Sequence, residues 1–291
     1  GGKRIELADR PPVPYDVATI DIGSTVAGLD LPGVRDHALP TRPIVGFVER
    51  IDDLLRHARG VGSGPFRIVV VGGGAGGVEV AFTLWQRLRD EVGIPVEVDL
   101  VHGGDRLMAG SPEALHRLLV RQAERRGFRL RLGRKVTVAE PGSVRLDDGE
   151  RLPVDALLWV TGAVSHPVFE PSGLPVDHRG FVMTRSTLQV EGHDDLFAVG
   201  DCATLSEHPA TPKAGVYAVR QGPVLTHNLR ARLAGRRAAG HDAAEADIRV
   251  LEHQLQNYLP LGPEESPLNA RDYTNDELLR RIRRQLRRHT P

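Results

Sequence analysis

Hydrophobic and polar residues alternate in blocks that change period along the chain. Ile68–Val71 is a run of four apolar, mostly β-branched residues, the pattern of a strand buried on both faces. Val78, Ala81, Phe82, Trp85 and Leu88 then recur at helical spacing, and Gly93 and Pro95 end that helix. Val96–His102 reads as a second strand. Leu115, Leu118, Leu119 and Ala123 mark a second helix over 112–126, closed by Gly127. Phe128–Leu132 and Val136–Val138 follow as strands. Ser143–Leu146, the turn Asp147-Asp148-Gly149 and Leu152 form a hairpin, and Ala156–Val160 is a further buried strand. Upstream, Val45, Val48, Ile51, Leu54 and Leu55 make a helical stripe. Residues 32–43 are rich in loop formers, and 15–24 reads as a strand ending in a Gly-Ser turn. Downstream, 175–182 and 188–190 are expected strands, Leu196–Ala203 is a buried strand stopping at Gly200-Asp201, and 215–234 is a helix.

This strand–helix alternation predicts an α/β protein with a Rossmann-like unit. Between the strand at 68–71 and its helix stand Gly72, Gly74 and Gly77, spaced G-x-G-x-x-G. Gly72 permits a tight turn, Gly74 lets a pyrophosphate approach the backbone, and Gly77 lets the helix pack against its strand. The N-terminus of that helix offers free N–H groups and the positive end of its dipole to phosphate. Glu79 reads as an acid in the first turn of that helix, where it complements the dipole. His102 closes the second strand, where an NAD site places an acid and an NADP site an Arg nearby. It fits neither pattern; the lack of an Arg leans toward NADH.

Composition narrows the class. The 291 residues are 40% hydrophobic and 26% charged, with a formal net charge of zero, so no general attraction to nucleic acid is expected. Cys202 is the only cysteine, which excludes an intrachain disulfide or a Cys-x-x-Cys redox pair. The His residues have no ligand spacing that argues for a metal.

Four motifs together carry a resemblance. They are Tyr15-Asp16 with Ile22-Gly23-Ser24, the run Gly72 to Glu79, Val160-Thr161-Gly162, and Val199-Gly200-Asp201-Cys202-Ala203. In order and spacing, 1–235 resembles the pyridine nucleotide-disulfide oxidoreductases, flavoproteins with two dinucleotide-binding domains that include the type II NADH dehydrogenases. Asp21 to Ser24 and Pro212 to Gly222 are similar to the flavoprotein found fused to selenide, water dikinase. The resemblance implies a Rossmann-like NAD(P) domain inserted in an incomplete FAD domain: 1–43 and 163–235 as two pieces of the FAD domain, 44–162 as the NAD(P) domain, and 236–291 as a helical basic extension.

It further implies two cofactors, FAD and NAD(P)H. Gly72, Gly74, Gly77, Glu79 and His102 would serve NAD(P)H. Thr161, Gly162, Gly200, Asp201 and Lys213 stand at the turns and the helix expected to meet the flavin, with Asp201 on its ribityl chain. Lys213 reads equally as a surface residue. No catalytic side chain is named by the motifs. The implied reaction is hydride transfer from NAD(P)H to flavin and electron transfer to a quinone-like or other small-molecule acceptor.

A family member also carries an earlier fingerprint for the ADP half of FAD, so this chain reads as N-terminally shortened. A non-catalytic NAD(H)-binding module, or an inactive fragment, is the alternative. The C-terminal segment Thr274–Arg288 sets Leu278, Leu279, Ile282 and Leu286 against six Arg after a capping box. It reads as a helix docked on the domain or as a peripheral membrane contact. The expected location is cytoplasmic, with room for an inner-face membrane contact and for a homodimer. A protein-interaction role for the Arg-rich tail is the third reading.

Overall fold

The computed structural model describes residues 3–60 and 64–235; the expected segment Thr274–Arg288 lies outside them. The described residues form two compact units, and one interrupts the other in sequence: 25–164 stands between 3–24 and 165–235.

The interrupted unit opens with β1 (Arg4–Ile5), β2 (Val13–Pro14) and β3 (Ala18–Ile20); β1 and β2 pair antiparallel. The inserted unit then runs through β4 (Thr25–Val26), α1 (Val34–His37), β5 (Ala38–Pro40), α2 (Ile44–Ala58), β6 (Phe66–Val71) and α3 (Ala75–Arg87), the last continued by a π turn over Leu88–Val92. It goes on with β7 (Val96–His102), α4 (Glu113–Arg125), β8 (Arg129–Leu132), β9 (Val136–Glu140), β10 (Ser143–Leu146), β11 (Arg151–Pro153), β12 (Ala156–Trp159) and β13 (Ala163–Val164). The first unit resumes with β14 (Val182–Thr184), β15 (Leu196–Ala198), a 3-10 turn over Gly200–Cys202, β16 (Ala203–Leu205) and α5 (Gly215–Leu233).

A five-stranded parallel sheet in the order β5-β12-β6-β7-β8 is the centre of the inserted unit. The run Phe-Arg-Ile-Val-Val-Val of β6 explains its middle position. Ile68 and Val70 face one way, into a core with Leu54 and Leu55 of α2, Val78 and Leu84 of α3 and Leu119 of α4. Val69 and Val71 face the other way, into a core with Val144, Leu146, Leu152, Leu157 and Trp159. Helices cover one face, and the antiparallel sheet β11-β10-β9 packs its residues into the other. Each of these fully buried aliphatic side chains contributes about 1.5–3 kcal/mol, so a charge at Val70 would break the unit.

The parallel arrangement also buries one carboxylate. Asp99 lies mid-strand in β7 and is 5% exposed at its side chain. It accepts from Arg129 Nε and Nη2 and from Arg131 Nε at 2.8–3.1 Å. Hydrogen bonding to Asp99 is the main cause that raises the pKa of Arg129. Asp99 is therefore a brace between β7 and β8.

Several expected elements differ. By compactness the inserted unit begins at Thr25, whereas the family resemblance implies 44 as the start of the NAD(P) domain. The reason is β5, hidden in a Pro-rich stretch: an edge strand tolerates Pro40, which would be excluded from a central one. Only Ala18–Ile20 of the expected strand 15–24 is extended pairing. The stripe of α2 is rotated: Phe47 is buried while Val48 is exposed. The expected strand 175–182 folds into a turn, because Asp177 Oδ1 accepts from the N–H groups of Arg179 and Phe181. Residues 188–190 make only isolated bridges, since Leu188 adopts a φ of 66°.

Candidate dinucleotide and flavin sites

The sheet order fixes where a ligand can enter the inserted unit. From β6 the chain passes through α3 to β7 on one side, while β12 pairs with β6 on the other. The crevice beyond the C-terminal ends of β6 and β12 is thus a topological switch point, where open parallel sheets bind ligands. Gly72, Gly74 and Gly77 stand at this place.

Each glycine is required for a different reason. Gly72 has a φ of 128°, and a Cβ there would lie 2.1 Å from the Val160 carbonyl oxygen at the end of β12. A Cβ at Gly77 would lie 1.8 Å from the Gly72 carbonyl oxygen, so α3 starts against its own strand's turn. Gly74 is different: it is exposed, and a Cβ there would meet nothing within 4 Å. The outer side of the loop is open where the inner side is closed. Gly74 is also the residue before α3, and no side chain caps this helix. Its first N–H groups are therefore left to solvent or to an anion. These features fit a pyrophosphate.

The loop is braced from β7. The His102 ring packs on Gly73, where a Cβ would lie 2.5 Å from its Cγ, and on Gly104, where a Cβ would lie 2.7 Å from its Nε2. Burial lowers the His102 pKa, opposed by the nearby Asp105 carboxylate. Burial thus favours the uncharged ring, which acts as a packed plate between the two glycines. The Gly73 carbonyl accepts from Met108 N–H at 2.8 Å, with Met108 at a φ of 55°. Met108 carries no motif, and nothing in the sequence pattern marks it.

Glu79 is the fifth residue of α3, so it is outside the first turn where an acid meets the dipole. It lines an apolar cleft of about 240 Å³ with Phe47, Val48, Ile51, Val80 and Thr83, between α2 and α3. Thr161 Oγ1 donates to the Ala27 carbonyl at 2.6 Å, an oxygen that Trp159 Nε1 also uses, and the Gly162 carbonyl accepts from Ala27 N–H. Thr161 and Gly162 therefore fasten the β12 exit to β4.

The other candidates lie in the interrupted unit. Gly200 turns the chain after β15 with a φ of 71°. Its N–H, buried, donates to Gln221 Oε1 of α5 at 2.6 Å. A Cβ on Gly200 would lie 3.0 Å from the Ala218 Cβ, so the turn sits flush on α5. Asp201 follows, half-buried, with Ser24 Oγ donating to its Oδ2 at 3.4 Å. The N-terminus of α5 has no side-chain cap. A half-exposed carboxylate near an uncapped helix start suits the polyol and the anionic ring edge of a flavin.

Lys213 is not a simple surface residue. Its Nζ donates to Thr204 Oγ1 at 2.9 Å and to the Ala203 carbonyl, and lies 4.4 Å from the Phe181 ring centroid. Burial lowers its pKa to about 8, with Arg179 adding to the effect and Asp177 and Asp201 opposing it. Thr204 in turn donates to Asp177 at 2.8 Å. Lys213 is held in a polar network beneath the turn. Gln221, within the stretch Pro212 to Gly222 that carries part of the resemblance, is the side chain that accepts from the Gly200 N–H of the turn.

A glycine loop at the switch point of a parallel sheet is the arrangement found in dinucleotide-binding α/β folds. A family model for pyridine nucleotide-disulphide oxidoreductases matches residues 3–222, and the chain belongs to that family. It is 27% identical over 232 residues to a type II NADH:quinone oxidoreductase of Haemophilus influenzae, covering 70% of this chain and 52% of that one. It is 28% identical over 227 residues to a demethylphylloquinone reductase of Synechocystis sp., covering 76% and 55%. The chain thus spans about half the length of these relatives. Among solved structures, a ferredoxin reductase from Rhodopseudomonas palustris superposes with a TM-score of 0.66 at 23% identity, over 83% of this chain and 57% of that one. A water-forming NADH oxidase from Lactobacillus brevis superposes with a TM-score of 0.64 at 19% identity, over 79% and 49%. These likenesses establish the fold. Among the described residues no helix is long and apolar enough to cross a membrane.

Proposed function

We propose that the chain carries the working parts of an FAD-dependent NAD(P)H oxidoreductase that delivers electrons to a quinone-like acceptor. The observation that carries this reading is the pairing of two different sites on two units of one chain. The inserted unit has an open, uncapped glycine loop suited to a pyrophosphate. The interrupted unit has the Asp201 turn held against α5. Gly72, Gly74 and the start of α3 would hold the electron donor. Asp201 would accept hydrogen bonds from the flavin's ribityl hydroxyls, and the start of α5 would stabilise negative charge on its ring. A bound flavin accepts hydride and returns electrons singly or in pairs; that chemistry belongs to the cofactor.

The quinone-like acceptor rests on the names of the relatives, two of which are quinone reductases. The returning segment 165–235, with residues 1–24, would be the flavin-binding unit, and 25–164 the donor-binding unit.

An absorption spectrum tests the reading. Purified protein supplied with FAD should retain bands near roughly 370 and 450 nm after desalting. NAD(P)H added without oxygen should bleach them, and a soluble quinone should restore them. A colourless protein that binds NAD(P)H and reduces no quinone would sink the oxidoreductase reading and leave a nucleotide-binding module.

A further inference from the structure

At the C-terminal end of β7, directly after the last buried residue Val101, the chain presents no carboxylate in the strand. His102 occupies the position, and its ring is spent on packing against Gly73 and Gly104. An acid that could bond both hydroxyls of an adenosine ribose is therefore missing from the strand end.

A cation stands there instead. The β8–β9 turn is stitched to the end of β7: Arg134 N–H donates to the His102 carbonyl at 3.0 Å, and Gly133 N–H to the Gly104 carbonyl at 2.8 Å. The next residue, Lys135, is fixed at its own carbonyl by Asp147 N–H at 2.9 Å. Its aliphatic stem lies along Gly103, where a Cβ would come 3.1 Å from the Lys135 Cε and 3.3 Å from its Cγ. The stem is thus laid across the loop that follows β7. The neighbouring cations are already matched, Arg134 by Asp148 at 3.0 Å and Arg106 by Glu113 at 3.2 Å. Lys135 is exposed and has no ion pair among the described residues. Asp105 is the remaining acid of the loop, exposed and facing His102.

We propose that Lys135 reads the 2′ position of the adenosine ribose, so that this chain binds NADPH in preference to NADH. The inference rests on the glycine loop being the dinucleotide site. An unmatched ammonium carried on a stem braced by Gly103 is suited to a 2′-phosphate, which adds close to two negative charges. A ribose hydroxyl gains little from it. The preference separates this chain from the NADH named for its Haemophilus relative.

The test is calorimetric titration of the full chain with NADPH and with NADH at low ionic strength, repeated for Lys135→Ala and Lys135→Arg. Wild type should bind NADPH about tenfold tighter or more, the scale of one charge-assisted hydrogen bond. Lys135→Ala should lose that advantage and keep its NADH affinity within about twofold, while Lys135→Arg should restore it. Added salt should weaken NADPH binding more steeply than NADH binding. Equal affinity for both nucleotides in wild type, or an equal loss for both in Lys135→Ala, overturns the proposal and leaves the dinucleotide reading intact. Failure of both nucleotides to bind overturns the dinucleotide reading itself, and the proposal with it. Because Lys135 is exposed, all three proteins should melt together.

Discussion

Gly74 and Gly77 sit three residues apart in one loop, and the structure predicts opposite consequences for giving each a methyl group. At Gly77 the new Cβ would stand 1.8 Å from the Gly72 carbonyl oxygen, against 3.4 Å for the start of ordinary contact. The neighbour is backbone, itself closed in by the Val160 carbonyl, so it has no side chain to swing aside. The missing space of about 1.6 Å must come from moving α3 off β6. That helix is held by Val78, Ala81, Leu84 and Trp85, all buried. Overpacking of this kind costs about 1–3 kcal/mol, partly offset by the better helix propensity of Ala, worth up to about 1 kcal/mol. At Gly74 a Cβ would meet nothing within 4 Å, and the backbone at φ −77°, ψ −178° suits any L-residue. Its stability should stay within about 0.5 kcal/mol of wild type.

Binding should not follow stability. Both variants should lose dinucleotide affinity by at least about tenfold, or 1.4 kcal/mol. Gly77→Ala loses it because the loop moves; Gly74→Ala loses it because the methyl fills the space kept for a pyrophosphate. Thermal melting by circular dichroism and titration with NADPH and NADH separate the two. Gly77→Ala should melt lower by roughly 3–10 °C and Gly74→Ala should not. A stable Gly74→Ala that binds as wild type would show that the open face of the loop is not the phosphate site. An unshifted Gly77→Ala would refute the packing argument itself.

Two further outcomes follow from the interrupted unit. Gln221→Ala leaves the Gly200 N–H buried without its acceptor and should cost about 1–3 kcal/mol in chemical denaturation; if flavin binds there, retention on desalting should fall as the Asp201 turn loosens. Lys213, lowered to about 8 from an ordinary 10.5, binds its proton less tightly folded than unfolded. Between those values the unfolded chain holds more protons, so stability should rise with pH across that window. Lys213→Gln should flatten the rise; a wild-type profile matching the variant's from pH 8 to 10.5 would refute the burial of the ammonium.

The inserted unit was legible where pattern and packing coincide. The apolar run Ile68–Val71 of β6 fits a strand buried on two faces, and glycines at three fixed positions leave few alternatives for the turn after it. The parts that escaped are held by polar or irregular means. β5 hides in Ala38-Leu39-Pro40 because an edge strand needs neither a long apolar run nor a free N–H on its outer side. The expected strand at 175–182 fails because Asp177 satisfies its own backbone, a competition that hydrophobic periodicity does not register.

The site residues divide along the same line. Gly72 and Gly77 are demanded by backbone contacts only a few residues away in sequence or one strand over, so a local motif can announce them. His102, Met108, Gln221 and Lys135 act across 20 residues or more, and their roles are set by which loops the sheet order brings together. His102 stands where a local rule expects a ribose-binding acid, yet its ring is a spacer between Gly73 and Gly104. In place of that acid the strand end is met by a cation, Lys135 of the β8–β9 turn. A motif that scores only the residue ending β7 therefore cannot assign this chain's nucleotide; the β8–β9 turn has to be read with it, because the Arg134 and Gly133 N–H bonds make that turn part of the same wall.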